Sequence, residues 1–165
     1  MDIYLLRHGL ATERGAHRGP DEERALTTEG RRKVGRVAEA MRAMKLSFDV
    51  IFSSPLVRAL QTAEIIAGSL RLKRRLQVTE HLAPGASSAK MLFQITGLRP
   101  APDSVLLVGH EPDMSRLGSR LLSGRDDLSM NFKKAGLCKV TVDRPGSSPA
   151  ILEWFLTPKQ MELMG

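Results

Sequence analysis

Hydrophobic positions along this chain follow two rhythms. Short unbroken apolar runs at Ile3-Tyr4-Leu5-Leu6, Val50-Ile51-Phe52 and Val105-Leu106-Leu107-Val108 are too brief for helices and rich in β-formers. Runs of that kind predict strands buried on both faces. Between them apolar residues recur at helical spacing: Val34, Val37, Ala38 and Met41, then Leu56, Ala59, Ala63, Ile66, Ala67 and Leu70. Met91, Leu92 and Ile95, and later Leu117 and Leu121, form two further stripes. Strands alternating with amphipathic helices predict an α/β fold, a three-layer α/β/α sandwich around a mostly parallel central sheet. The first two strands, joined by a helix, form a right-handed parallel crossover. The last part of the chain differs. Gly136 to Asp143 and Ala150 to Phe155 read as two strands joined by a hairpin-like turn over Arg144 to Pro149, which gives the sheet an antiparallel edge.

Start and stop signals sharpen these elements. Thr27 or Thr28 caps a helix running to about Met44, with Glu29 favourably placed in its first turn. Ser54 as N-cap and Pro55 as first helical residue open the next helix and put Arg58 in its first turn. Val78 to Pro84 is a short extended piece or loop carrying Glu80 and His81, and Ser87 or Ser88 caps a helix through Leu98. The run Arg99-Pro100-Ala101-Pro102 is a turn, and a further helix from about Asp113 ends near Gly124. Leu10 to Ala25, charged and without an apolar period, reads as a loop over the end of the first strand. The last ten residues form a short helix or a tail. His17 and His81 read as solvent-exposed, and Trp154 as core.

A chain of 165 residues is one domain by length, spanning 1–165. No apolar run approaches the roughly 18–20 residues that cross a bilayer, and the N-terminus enters a strand without a signal sequence. The single cysteine, Cys138, excludes an internal disulfide and a Cys-based zinc site and fits a reducing cytoplasm as a buried, inert thiol. The formal charge of +7 would suit nucleic acid, but aromatics are only 4% of the chain, too few for base stacking. No nucleic acid and no membrane partner is therefore expected. The charge fits acidic or phosphorylated substrates.

Three apolar strands each end in a cation or an imidazole: Arg7-His8-Gly9, Arg58 just past Ser53, and His110 after Val108-Gly109. In a parallel sheet those ends open on one edge, where ligands of α/β proteins bind. Two arginines and two histidines around one crevice suit a phosphoryl group, because guanidinium forks match paired oxygens and a neutral imidazole can attack phosphorus. Two readings fit Arg58. A cation in the first turn opposes the helix dipole, which a bound anion would offset, or its side chain simply reaches to solvent.

Leu6-Arg7-His8-Gly9 resembles the signature of the histidine phosphatase superfamily, the phosphoglycerate-mutase-like enzymes. Leu26-Thr27-Thr28-Glu29-Gly30, the run from Ser53 to Ala63 and Val108-Gly109-His110-Glu111-Pro112 match further motifs of that family, in its order. The short chain, with no room for a helical cap, resembles the small SixA-like phosphohistidine phosphatases, as do Asp21 to Gly30 and the late Leu156-Thr157-Pro158. The resemblance implies that His8 attacks the phosphoryl group and becomes a phosphohistidine, which water then hydrolyses. Arg7, Arg58 and a protonated His110 would bind the non-bridging oxygens, each such donor lowering the barrier by about 3 kcal/mol. Gly9 lets the backbone approach the phosphoryl group. The general acid is either Glu80, similar in position to the mutase-like glutamate, or Glu111, placed as in the larger acid phosphatases. The implied mechanism uses no metal and no cofactor. The implied substrate is phosphohistidine in a carrier protein. Small phosphomonoesters, such as a sugar phosphate or a nucleotide, and a non-catalytic phosphoryl-binding module are the alternatives.

Overall fold

The structure is a computed structural model, described here for residues 1–143 and 149–164. Its centre is a six-stranded sheet with strands β1 (Asp2–Arg7), β2 (Val50–Ser53), β3 (Leu76–Val78), β4 (Ser104–Gly109), β5 (Leu137–Thr141) and β6 (Ile151–Leu156). Their order is β3-β2-β4-β1-β5-β6. Neighbours among β1 to β4 pair in parallel, whereas β5 runs antiparallel to β1 and to β6. The expected parallel sheet with an antiparallel edge is therefore present. β1 and β2 are parallel but not adjacent, because β4 inserts between them. The turn expected over Arg144 to Pro149 falls largely on 144–148, outside the described residues.

Side chains alternate across β1, β2 and β4 and divide the core into two layers. Tyr4, Leu6, Ile51, Leu106 and Val108 face one way, against α1 (Thr28–Ala43), α2 (Val57–Ser69) and α5 (Pro158–Met161). Ile3, Leu5, Phe52, Val105 and Leu107 face the other way, against α3 (Ser88–Thr96) and α4 (Asp113–Ser123). Trp154 is half-buried, with its ring edge-on to Tyr4 at 5.8 Å between centroids. Cys138 is buried, and that burial pushes its thiol up to about 12, so it stays protonated. Among the described residues no helix is long and apolar enough to cross a membrane.

Helix starts follow local chemistry. Thr27 caps α1, its hydroxyl accepting from the Gly30 amide at 2.9 Å. A Cβ on Gly30 would run into the Leu10 carbonyl, so only glycine lets α1 lie this close to the loop leaving β1. α2 begins later than the Ser-Pro signal predicts, with Leu56 as its N-cap and no side-chain cap. Ser54 forms a local turn instead, its hydroxyl accepting from the Leu56 amide at 3.3 Å, and its other contact is with His110. The expected cap was overridden because that hydroxyl serves the neighbouring strand end.

Candidate active site

Sheet register assembles the site. β1 and β4 pair with Arg7 opposite Gly109, so His8 and His110 are the next residues beyond the two strand ends. The His8 amide donates to the Gly109 carbonyl at 3.0 Å, and the two imidazole rings lie 5.0 Å apart at their centroids. β2 pairs with β4 through Ser53 and Val108, and the Ser54 amide continues that ladder to the Val108 carbonyl at 3.0 Å. Ser54 Oγ consequently sits 2.8 Å from His110 Nε2.

Each ring and guanidinium is fixed by a particular partner. His8 Nδ1 lies 2.7 Å from the Gly9 carbonyl oxygen, which can only accept. That nitrogen must therefore carry the proton, leaving the Nε2 lone pair free. Gly9 is held in turn by Thr62, whose Oγ1 accepts from the Gly9 amide at 3.0 Å and donates to the Arg58 carbonyl at 2.7 Å. A Cβ at Gly9 would come within 2.6 Å of Val34 Cγ2, so glycine permits this close packing. Gln61 Oε1 accepts from the Leu26 amide at 2.8 Å. The stretch from Arg58 to Thr62 thus buttresses the two loops that frame the site, besides contributing its arginine.

Arg7 Nη1 donates to the Phe132 carbonyl at 2.6 Å. Arg58, 4% exposed, donates from Nη1 to the Asp21 carbonyl at 2.8 Å and from Nη2 to the Asp21 carboxylate at 3.0 Å. The solvent-reaching reading of Arg58 is therefore wrong, because loop 10–25 folds back over it. That loop is pinned at its base by an antiparallel bridge between Ala11 and Leu26, and it contains the one-turn helices Arg14–Ala16 and Asp21–Glu23. Asp21 also accepts from Arg24 and Arg14, and these pairs, Arg24 foremost, hold its carboxyl down at about 2. The resemblance takes in the run from Asp21 to Gly30 but gives neither Asp21 nor Arg24 a role, since no periodicity marks a loop carboxylate gathered among arginines.

Burial dominates the electrostatics. It pushes the His8 imidazole down to about 3, helped by His110 and the two arginines, and pushes His110 down to about 4, helped by Arg58. Both rings are therefore neutral at neutral pH in the free protein. The protonated His110 that the resemblance implies for the phosphoryl-bound site is not the state of the free protein, because a further buried cation beside Arg7 and Arg58 is unfavourable. Burial also lowers both arginines from their ordinary range.

The two candidate acids differ. Glu111 Oε1 accepts from Ser115 Oγ at 2.7 Å and from the Phe132 amide at 3.3 Å, while Oε2 accepts from the Ser115 amide at 3.2 Å. Its carboxylate thereby ties the start of α4 to the segment whose Phe132 carbonyl holds Arg7. Glu80, exposed, opens the one-turn helix Glu80–Leu82 after β3, and its carboxylate makes no hydrogen bond to a described residue. His17 and His81 are half-buried rather than fully exposed; His17 Nε2 lies 3.1 Å from the Pro20 carbonyl.

Among the described residues, the buried side-chain polar atoms without a partner are Arg7 Nε, Arg58 Nε and His110 Nδ1. All belong to this cluster. Arginine forks and an imidazole with unused hydrogen-bonding capacity form a binding surface for a tetrahedral oxyanion.

Known proteins match both the motifs and the fold. An uncharacterized protein of Picosynechococcus sp. is 39% identical over 138 residues, covering 83% of this chain and 82% of its own. Phosphohistidine phosphatase SixA of Escherichia coli is 26% identical over 164 residues, covering 99% and 98% respectively. The solved structure of protein histidine phosphatase SixA complexed with tungstate superposes with a TM-score of 0.86 at 26% identity, over 96% of this chain and 98% of that one. Residues 3–83, which include the Arg7-His8-Gly9 strand end and the buttressing start of α2, match the Histidine phosphatase superfamily (branch 1). This protein therefore belongs to the histidine phosphatase superfamily, as a SixA-like phosphatase.

Proposed function

We propose that this protein, as one histidine phosphatase domain, removes the phosphoryl group from phosphohistidine in a carrier protein, through a covalent phosphohistidine on His8. The observation that carries the proposal is the set of unpartnered buried atoms, Arg7 Nε, Arg58 Nε and His110 Nδ1, on the three side chains that act electrostatically on His8, whose own Nε2 is free. Leaving such groups unpaired costs roughly 1–3 kcal/mol each, a cost that a phosphoryl dianion offsets. That SixA was solved as a complex with tungstate, itself an oxyanion, supports this reading.

His8 Nε2 attacks phosphorus in line, forming the N–P bond as the bond to the substrate's imidazole nitrogen breaks. The departing ring takes up a proton, which we assign to Glu80, the carboxylate left unengaged. Water then attacks the phosphohistidine, phosphate leaves and His8 is regenerated. Arg7 and Arg58 hold the non-bridging oxygens in both steps. His110, neutral in the free protein, gains its proton as the dianion enters, because the added negative charge reverses the balance that burial sets. Gly9 lets the backbone stay close to the reacting group. Glu111 acts on Arg7 through Phe132, as a positioning residue.

Phosphate release from a phosphohistidine-bearing carrier protein and from simple phosphomonoesters, measured side by side with His8→Ala as the blank, tests this function. Preference for the carrier, lost in the variant, is the expected result. Turnover of the esters alone would overturn the substrate assignment.

A further inference from the structure

Beside the active site lies a groove of about 650 Å³ whose charged lining is Lys33, Lys133, Lys134, Lys159 and a single acid, Glu162. All four lysines are exposed. Glu162 is already engaged by Arg36 at 3.4 Å, and Lys33 lies 3.5 Å from Glu29. Lys133, Lys134 and Lys159 form no salt bridge with a described residue, and only Glu13 is near enough to Lys134 to favour its charge. The groove therefore has a net positive charge that the protein does not neutralise.

Its position ties it to the catalytic cluster. Leu10, in its lining, is two residues beyond His8, and the amide of Ala135, also in its lining, donates to the His8 carbonyl at 3.1 Å. Arg7 and Arg24 are close enough to Lys134 to lower its ammonium further once burial has done so. A segment seated here would lie beside the strand end that carries His8.

The lysines also indicate the kind of occupant. They come from separate elements: Lys33 from α1, Lys159 from α5, Lys133 and Lys134 from the segment before β5. Long, exposed side chains spread over several elements match an extended acidic surface better than a small polyanion, which calls for converging, buried donors. Leu10 and Pro158, both half-buried, add apolar contact between the charges. We propose that this groove docks an acidic protein segment with an apolar residue among its carboxylates, next to the phosphohistidine of the substrate. The proposal rests on the phosphohistidine-protein reading above and adds a recognition surface to it.

Two fluorescein-labelled peptides test it: one with a histidine flanked by glutamates and leucines, the other with glutamine in place of each glutamate. Wild-type protein should bind the acidic peptide about tenfold more tightly, by fluorescence anisotropy, and lose that preference near 0.5 M salt. The triple variant Lys33→Gln, Lys133→Gln, Lys159→Gln should lose the preference at low salt, with its thermal melting unchanged; Lys134 is left alone because it borders Arg7. A third peptide with lysine in place of glutamate should bind wild-type protein more weakly than either, a result that depends on no variant. Equal affinity of the acidic and glutamine peptides overturns the groove proposal. The phosphohistidine forms of the same peptides separate the two claims. Hydrolysis of both at equal kcat/KM, unaffected in the triple variant, sinks the groove and leaves the function standing. Selective acidic binding without hydrolysis keeps the groove and removes the phosphohistidine-protein function.

Discussion

Acid should destabilise this protein through its two active-site histidines before its carboxylates titrate. His8 and His110 have an ordinary pKa of 6.5, and in the fold they are held at about 3 and about 4. The unfolded chain therefore binds more protons than the native state between those values and 6.5, so stability rises with pH across that window. The contribution is complete above 6.5 and is lost as the pH falls toward the folded values. At pH 5 each histidine costs RT ln(1 + 10^1.5), about 2 kcal/mol, and the pair about 4 kcal/mol. Against a typical total of roughly 5–15 kcal/mol that is a large fraction. Both rings are almost fully buried, at 7% and 2% exposure, so solvent screening takes little away. The carboxylates that the fold lowers, such as Asp21 and Glu29 with ordinary values of 3.8 and 4.5, contribute mainly below pH 5. Urea unfolding at pH 7.5 and pH 5 should be run on the wild type, His8→Asn, His110→Asn and the double variant. Each protein is compared with itself, which cancels the structural cost of the substitution. The wild type should lose about 4 kcal/mol, each single variant about half of that, and the double variant little. Equal losses in the wild type and the double variant would refute the reasoning.

Other parts of the site make separate predictions. Gly30→Ala drives a methyl into the Leu10 carbonyl, which is itself bonded to the Thr27 amide at 3.0 Å, and should cost more than about 3 kcal/mol by urea unfolding. A loss under 1 kcal/mol would show that the loop yields. Asp21→Asn keeps an oxygen for Arg58 while removing a negative charge beside the oxyanion site, and should tighten tungstate inhibition about fivefold. Weaker inhibition would mean that the charge matters for aiming Arg58. Glu111→Gln loosens the contact through Phe132 to Arg7 and should lower kcat/KM about tenfold while the fold loses only about 1–2 kcal/mol by urea unfolding. Unchanged kcat/KM would remove Glu111 from the account.

What the sequence made legible follows from where each signal lies. β1, β2 and β4 are buried on both faces, so their apolar runs are unbroken, and the residues that end them, Arg7-His8 and His110, were readable as a converging set. Thr27 was readable as a cap because its partner is local. β3 was caught only at Val78, because a three-residue edge strand with exposed Gln77 and Val78 leaves no buried pattern. The insertion of β4 between β1 and β2, and the pairing of Ser54 with His110, depend on strand order, which local propensity does not encode. The pairing of Asp21 with Arg58 became visible only once its loop had folded onto that arginine. The neutrality of His110 in the free protein is likewise a property of burial among arginines, which the family resemblance, implying a cation against the phosphoryl oxygens, did not reveal.

The central claim is that His8 carries the phosphoryl group. Mixing the protein with a phosphohistidine carrier, quenching within the first turnover under alkaline conditions that preserve N–P bonds, and locating the modification by mass spectrometry tests it most directly. The account predicts phosphate on His8, absent from His8→Ala and lost on brief acid treatment. Turnover with an unmodified His8 at every quench time would contradict it.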